Sequence, residues 1–271
     1  MTYESARTRL AIVVLVAVGT LAGCVTRAEE VGVTEADVDS GRADEDSPQS
    51  RPIVRIKMTD QGFCSGTLIT PRLVLTAAHC IRFPGRSGVF PKELLEVQVQ
   101  GPVSHDGWRA TAEVAASFKV IRTVDQLGDD WVPDADGNAP IERDAALLTI
   151  EPLDGSPIDA DGELARWLLD SDFRRPAAAT TRNYGVAGFG PSPDTLRLAD
   201  HHVSGDYITT IGKYLRVSFV SSQPGDSGGP LYNLDGSGRR TVIGVLSSGN
   251  TDSGIGMSYY WNATPPKINA G

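Results

Sequence analysis

From Pro52 onward the chain is a succession of short apolar runs bounded by Gly, Pro, Asp and Ser: Ile53 to Met58, Gly66 to Ile69, Leu73 to Thr76, Leu94 to Val99, Ala145 to Ile150, Val186 to Gly188, Tyr214 to Val220 and Thr241 to Leu246. Runs this short, rich in Val, Ile, Leu and Thr and punctuated by turn formers, are strands rather than buried helices. The pattern predicts an all-β domain, a sandwich or a barrel. Helix signals are sparse, with a short turn over Ala77 to Ile81 and one or two turns over Leu164 to Phe173. Pro157, Asp159, Gly162 and Pro176 interrupt the strand pattern, so a two-barrel fold would divide near residues 155–180. With 271 residues and 40% hydrophobic content, the chain has room for one large core or two small ones.

The first 51 residues follow different rules. Arg7 and Arg9 precede an apolar run from Leu10 to Val18 and then small residues, which reads as an export signal over residues 1–23. That run is too short to be a good membrane span. Leu21-Ala22-Gly23-Cys24 resembles the lipobox of bacterial lipoproteins, in which the cysteine becomes the acylated N-terminus; the alternative is an ordinary signal peptide that contains a cysteine. Val25, rather than Asp, after Cys24 resembles lipoproteins sent to an outer membrane. Residues 26–50 are acidic and carry only three aliphatic valines, too little apolar surface to offset the entropy of ordering. Residues 24–51 are therefore expected to be a lipid-anchored flexible tether, and residues 52–271 the domain.

Three cysteines leave one over if two pair, and lipidation of Cys24 accounts for it. Cys64 and Cys80 can then bridge in an oxidising compartment, the alternative being two free thiols. The 34 acidic against 25 basic residues give a net charge of -9, which repels phosphate backbones and argues against nucleic acid as a partner.

Acyl transfer by serine needs a hydroxyl, an imidazole to take its proton, and a carboxylate to fix the imidazole's tautomer and orientation. Gly225-Asp226-Ser227-Gly228-Gly229-Pro230 sets Ser227 among glycines, where the backbone turns sharply and exposes N–H groups. By itself such a segment is only a turn. Thr76-Ala77-Ala78-His79-Cys80 follows an apolar strand, which places His79 just past a strand end beside a candidate disulfide. Of the other histidines, His105 lies beside Asp106-Gly107 in an expected loop, and His201-His202 reads as a polar surface pair. Among several aspartates, only Asp144 directly precedes an apolar strand that would bury it.

Cys64-Ser65-Gly66-Thr67-Leu68-Ile69, Thr76-Ala77-Ala78-His79-Cys80, Asp144-Ala145-Ala146-Leu147-Leu148, Val186-Ala187-Gly188-Phe189-Gly190 and Gly225-Asp226-Ser227-Gly228-Gly229-Pro230 stand in one order across roughly residues 52–261. That series resembles the trypsin and chymotrypsin family. The resemblance implies two antiparallel six-stranded β-barrels with the active site between them. It implies His79 as general base and acid, Asp144 as orienting carboxylate and Ser227 as nucleophile, with the N–H groups of Gly225 and Ser227 as oxyanion hole. No cofactor or metal is implied, and the expected partners are protein or peptide substrates. Asp134-Ala135-Asp136-Gly137-Asn138 and Asp159-Ala160-Asp161-Gly162 hint at calcium but lack the EF-hand glycine and glutamate, so both are read as acidic turns.

In the resembled family the residue six before the nucleophile forms the base of the primary specificity pocket. Here it is Ser221, followed by Ser222, much as in chymotrypsin. An unpaired Arg or Lys is costly to bury there, so the implied preference is for a neutral apolar or aromatic residue before the cut. Ser247-Ser248-Gly249 matches the strand that pairs with substrate backbone and lines the pocket, with Ser248 where the family more usually has tryptophan.

The chain also departs from the family. Active members usually begin with a free terminus whose amine pairs with the aspartate before the nucleophile; Asp226 is present, but no matching start is, and about two dozen residues before Cys64 the sequence reads Val38-Asp39-Ser40-Gly41. A processing event must create that amine, or Asp226 must find another donor. Gln223 stands where the family has a pocket cysteine, and Pro265-Pro266 disfavour the usual closing helix. Three readings follow: an exported serine endopeptidase of the bacterial envelope, an inactive relative kept as a protein-binding module, and an esterase. No Gly-x-Ser-x-Gly elbow supports the esterase reading.

Overall fold

The computed structural model describes residues 36–37, 42–43, 52–59, 62–83, 87–106, 109–127, 140–154, 168–169, 181–190, 196–204, 208–211, 214–218, 220–234, 240–250 and 257–262. The chain divides into Met1–Thr34, outside the described residues, and Glu35–Gly271, which holds every element below. The export signal, Cys24 and both acidic Asp-Gly turns therefore lie outside the description.

Two short strands come first, β1 (Ala36–Asp37) and β2 (Arg42–Ala43). The first barrel comprises β3 (Ile53–Met58), β4 (Gly62–Thr70), β5 (Leu73–Thr76), β6 (Leu95–Asp106), β7 (Arg109–Asp125) and β8 (Ala146–Pro152). It closes in the order β3-β4-β5-β8-β7-β6, every pair antiparallel. Closure leaves no open edge in this half. The period-two rule is visible along β8, where Ala146, Leu148 and Ile150 are buried and Leu147 and Thr149 are only half so. Burying side chains such as Ile56, Leu68, Val74, Leu148 and Ile150 stabilises the fold by about 1.5–3 kcal/mol each.

The second half carries β9 (Leu168–Leu169), β10 (Thr181–Gly188), β11 (Arg197–Ser204), β12 (Ile208–Ile211), β13 (Tyr214–Ser218), β14 (Val220–Ser221), β15 (Pro230–Leu234), β16 (Arg240–Asn250) and β17 (Met257–Asn262). Its main sheet runs β12-β13-β17-β16-β15-β10-β11-β2, with β9 parallel to β16. Tyr184, Val186, Ile208, Leu215, Val217, Leu231, Ile243 and Tyr260 pack as one cluster against it. The first barrel's core runs on without a break into Ala187, Phe189, Leu196, Tyr232, Val242 and Val245 of the second half. A closed six-stranded barrel joined to a second, mainly antiparallel sheet agrees with the two-barrel expectation.

Two local readings, the helical stretch and the loop at His105, are corrected. Within the stretch expected to be helical, Leu168 and Leu169 instead pair with Thr241 and Val242 as a strand, tertiary pairing overriding local preference. His105 lies on β6 opposite Ala110 and not in a loop. The pair His201–His202 falls on β11, opposite Tyr184 and Asn183. Within the segment read as a tether, β1 pairs in parallel with β14, and β2 with β11. Backbone pairing needs no apolar side chain, so composition gives no sign of it.

Candidate active site

His79 opens a 3-10 helix, His79–Ile81, three residues beyond the end of β5. Ala77 and Ala78 between them are fully buried, which lets the chain turn close against the core. Cys80 is disulfide-bonded to Cys64 on β4, so the helix is covalently tied to the barrel wall. The bond forms as expected. Cys64, His79 and Cys80 bring possible ligand atoms within 4.8 Å of one another, but both sulfurs are consumed in the disulfide and leave no thiolate for a metal.

Asp144 ends the 3-10 helix Ile141–Arg143 and leads into β8. It is completely buried. One oxygen, Oδ1, accepts the backbone N–H of His79 at 2.9 Å; the other, Oδ2, lies 2.7 Å from His79 Nδ1 and accepts the Ser247 hydroxyl at 2.6 Å. Burial alone would raise its pKa, but the charge of His79 and the hydrogen bonds from His79 and Ser247 outweigh burial and hold the carboxyl below its ordinary value of 3.8. An ionised carboxylate can only accept, so Nδ1 carries a proton, and in the neutral imidazole the lone pair then falls on Nε2. That is the tautomer a general base needs.

Ser227 is half-buried in the turn between β14 and β15. Gly225 and Gly228 adopt φ of 102° and 82°, the left-handed region in which a side chain is strained. A Cβ on Gly228 would also run into Thr76 and Ser65, and one on Gly225 into the Phe63 ring. The turn is anchored from β4 by Ser65, whose N–H donates to Ser227 O at 2.8 Å and whose hydroxyl donates to Gly225 O at 2.8 Å and accepts Phe189 N–H at 3.1 Å. Cys80 Sγ lies 3.6 Å from Ser227 O and 3.7 Å from His79 Nε2, so the serine turn and the free ring nitrogen flank the same sulfur.

Residues 64–245 match the profile of the trypsin-like peptidase domain. The chain belongs to the trypsin-like peptidase family. Similar proteins include bovine coagulation factor XII, 28% identical over 226 residues that cover 75% of this chain and 34% of the relative. A trypsin from Saccharopolyspora erythraea is 27% identical over 245 residues, covering 82% of this chain and 95% of that protein. The chain thus spans about a third of the length of the factor XII it matches.

In this trypsin-like peptidase the residue before Ser227 is Asp226. Here its buried carboxylate accepts the backbone N–H groups of Gly190 and Gln223, each at 2.9 Å. The short strand β1 pairs in parallel with β14, with Asp37 opposite Ser221. Ser221 is buried, and Ser222 Oγ lies 3.3 Å from the hydroxyl of Ser258, which donates to Val220 O at 2.8 Å. Ser248 and Gly249 face Tyr259 and Ser258 across the β16–β17 pair. Burial and the nearby Asp226 charge push the Tyr260 phenol up, so it stays neutral.

Sequence reasoning placed Ser247 on the substrate strand and missed that its hydroxyl reaches Asp144. It also gave Ser65 no role, although Ser65 lies inside a quoted motif. Ser258 was assigned no role from sequence, and the sheet register sets it opposite Gly249 and Val217. No local signal marks contacts between residues 103 or 160 positions apart.

Proposed function

We propose that this trypsin-like peptidase is a serine endopeptidase that hydrolyses peptide bonds through a Ser227 acyl-enzyme. The observation that carries the reading is the buried Asp144 carboxylate bound to His79 Nδ1, which leaves Nε2 as a base beside the serine turn. In the proposed reaction, Ser227 Oγ attacks the scissile carbonyl carbon while its proton passes to His79 Nε2. The oxyanion formed is met by the N–H groups of Gly225 and Ser227, each such donor lowering the barrier by about 3 kcal/mol. Collapse expels the amine, which takes the proton from Nε2, and water repeats the sequence in reverse to release the acid.

Ser221 and Ser222 at the pocket base, with Ser258 beside them, support a neutral side chain before the scissile bond, of apolar or aromatic kind. None of these hydroxyls supplies a counter-charge for a buried Arg or Lys. The leader and Cys24 support an exported protein held by lipid at a bacterial envelope, on the outer membrane.

The test is labelling with an organophosphonate, followed by turnover of peptides that differ only in the residue before the cut. Ser227→Ala is expected to abolish labelling, and Phe, Tyr or Leu peptides to be cut faster than Arg or Lys peptides. Labelling that persists in Ser227→Ala, or is absent from the native protein, removes the endopeptidase reading. Faster cleavage after Arg or Lys removes the specificity.

A further inference from the structure

Three residues beyond His79, and outside any motif, Arg82 is buried with its guanidinium turned toward the end of β7. Arg82 Nε donates to Asp125 Oδ2 at 3.0 Å and Nη2 to Asp125 Oδ1 at 3.0 Å, a two-pronged pair, and Nη2 also donates to Leu127 O at 3.1 Å. Asp125 Oδ1 in turn accepts Leu127 N–H at 2.8 Å. Both charged side chains are almost wholly withdrawn from solvent. A buried ion pair of this kind needs close geometry on both sides to offset desolvation, so it holds its partners in one arrangement.

The segment held this way is bonded to the residues on both sides of Asp144 and, through Arg82, to the helix of His79. Asp125 is paired with Ala146, two residues beyond Asp144, and Gln126 N–H donates to Ala145 O at 3.1 Å. Arg143, immediately before Asp144, donates to Gln126 O from Nε and Nη2 at 2.9 and 2.7 Å. From β17 in the second half, Trp261 Nε1 donates to Gln126 Oε1 at 3.0 Å. On the other side, Arg82 N–H donates to His79 O at 3.3 Å, closing the helix that carries the imidazole.

We propose that Arg82 and Asp125 are positioning residues that set the distance and angle between His79 and Asp144 by tying the helix of one to the strand-end segment that frames the other. The inference rests on the peptidase reading for its kinetic consequence but not for its geometry. The pair touches neither substrate nor reacting atom. Its effect reaches the chemistry through the backbone on either side of the His79–Asp144 hydrogen bonds.

The experiment uses the full chain as Arg82→Lys, Asp125→Asn and the apolar double variant Arg82→Met with Asp125→Leu, each titrated with phosphonate so that rates are per reactive site. Lysine keeps the charge but not the fork. Misplacing a catalytic group by about an ångström costs on the order of a hundredfold, so kcat is expected to fall about tenfold to a hundredfold, with KM within about twofold. The downfield proton resonance of His79 Nδ1–H is expected to shift or broaden in all three. The double variant is expected to regain melting temperature without regaining kcat. It therefore keeps the test alive if a single variant fails to fold. Wild-type kcat per site in any folded variant, an unmoved Nδ1 resonance, or recovery of kcat together with stability in the double variant would overturn the proposal. Should the native protein itself fail to label, the peptidase reading falls, while the resonance comparison still decides the clamp.

Discussion

Asp144 keeps a negative charge where no water reaches it, and the three donors around it are the reason. Its folded pKa lies below the ordinary 3.8, so between the two values the unfolded chain binds a proton that the folded one refuses. The stability this supplies is present above the ordinary value and is lost as pH falls through the folded one. Ser247→Ala removes one donor to the charged form, a hydrogen bond worth about 1.5–3 kcal/mol. Its acid unfolding is therefore expected to begin at higher pH than that of the native protein. Melting temperatures recorded from neutral pH down to about pH 2 check this, and superimposable acid transitions would refute it. At this scale His79, Asp144 and Ser227 were legible, because each stands next to a local signal: a strand end, an apolar strand or a glycine turn. Ser247, Ser65, Arg82 and Asp125 were not, because each acts on a group that only folding brings near.

Among the elements, the apolar runs marked β3, β4, β5, β8 and β16 well, since their residues pack on a core and leave few polar positions. The longest strand, β7, went unmarked. In it Phe118 and Val120 are buried on either side of an exposed Lys119, so the signal is alternation and not a run. β11 reads Arg-Leu-Ala-Asp-His-His-Val-Ser and offers little apolar pattern at all. The helix of His79 depends on the Cys64–Cys80 bond for its attachment to β4, across a sequence separation of 16. A loop of that size loses about 3 kcal/mol of stabilisation when opened. Replacing both cysteines by alanine is expected to lower stability by about that amount in denaturant titration, and to reduce phosphonate labelling at temperatures where the variant remains folded. An unchanged midpoint and an unchanged labelling rate would show the bond to be dispensable.

For the molecule as a whole, the second sheet has a cluster of its own, yet the core of the first barrel does not stop at that barrel. Leu68, Ile81 and Val97 of the first barrel belong to one packed cluster with Phe189, Tyr232 and Val245 of the second half. Halves that share a core cannot lose it separately, so calorimetry of the native protein is expected to show a single transition whose van't Hoff and calorimetric enthalpies agree. Two resolved transitions would mean that the shared cluster contributes little. Ser65 ties the halves at a second level, through the hydroxyl and amide that hold Gly225 and Ser227 from a strand 160 residues upstream. That distance has a meaning during synthesis. The strands of the first barrel lie together between Ile53 and Pro152, so a chain emerging N-terminus first can close that barrel and set out the Ser65 cradle before residues 223–229 exist. The reactive turn is then moulded on a finished surface. Under the proposed mechanism, a truncated product released early carries a histidine and an aspartate but no serine, and a cell making this enzyme is exposed to its activity only once the last third of the chain has arrived.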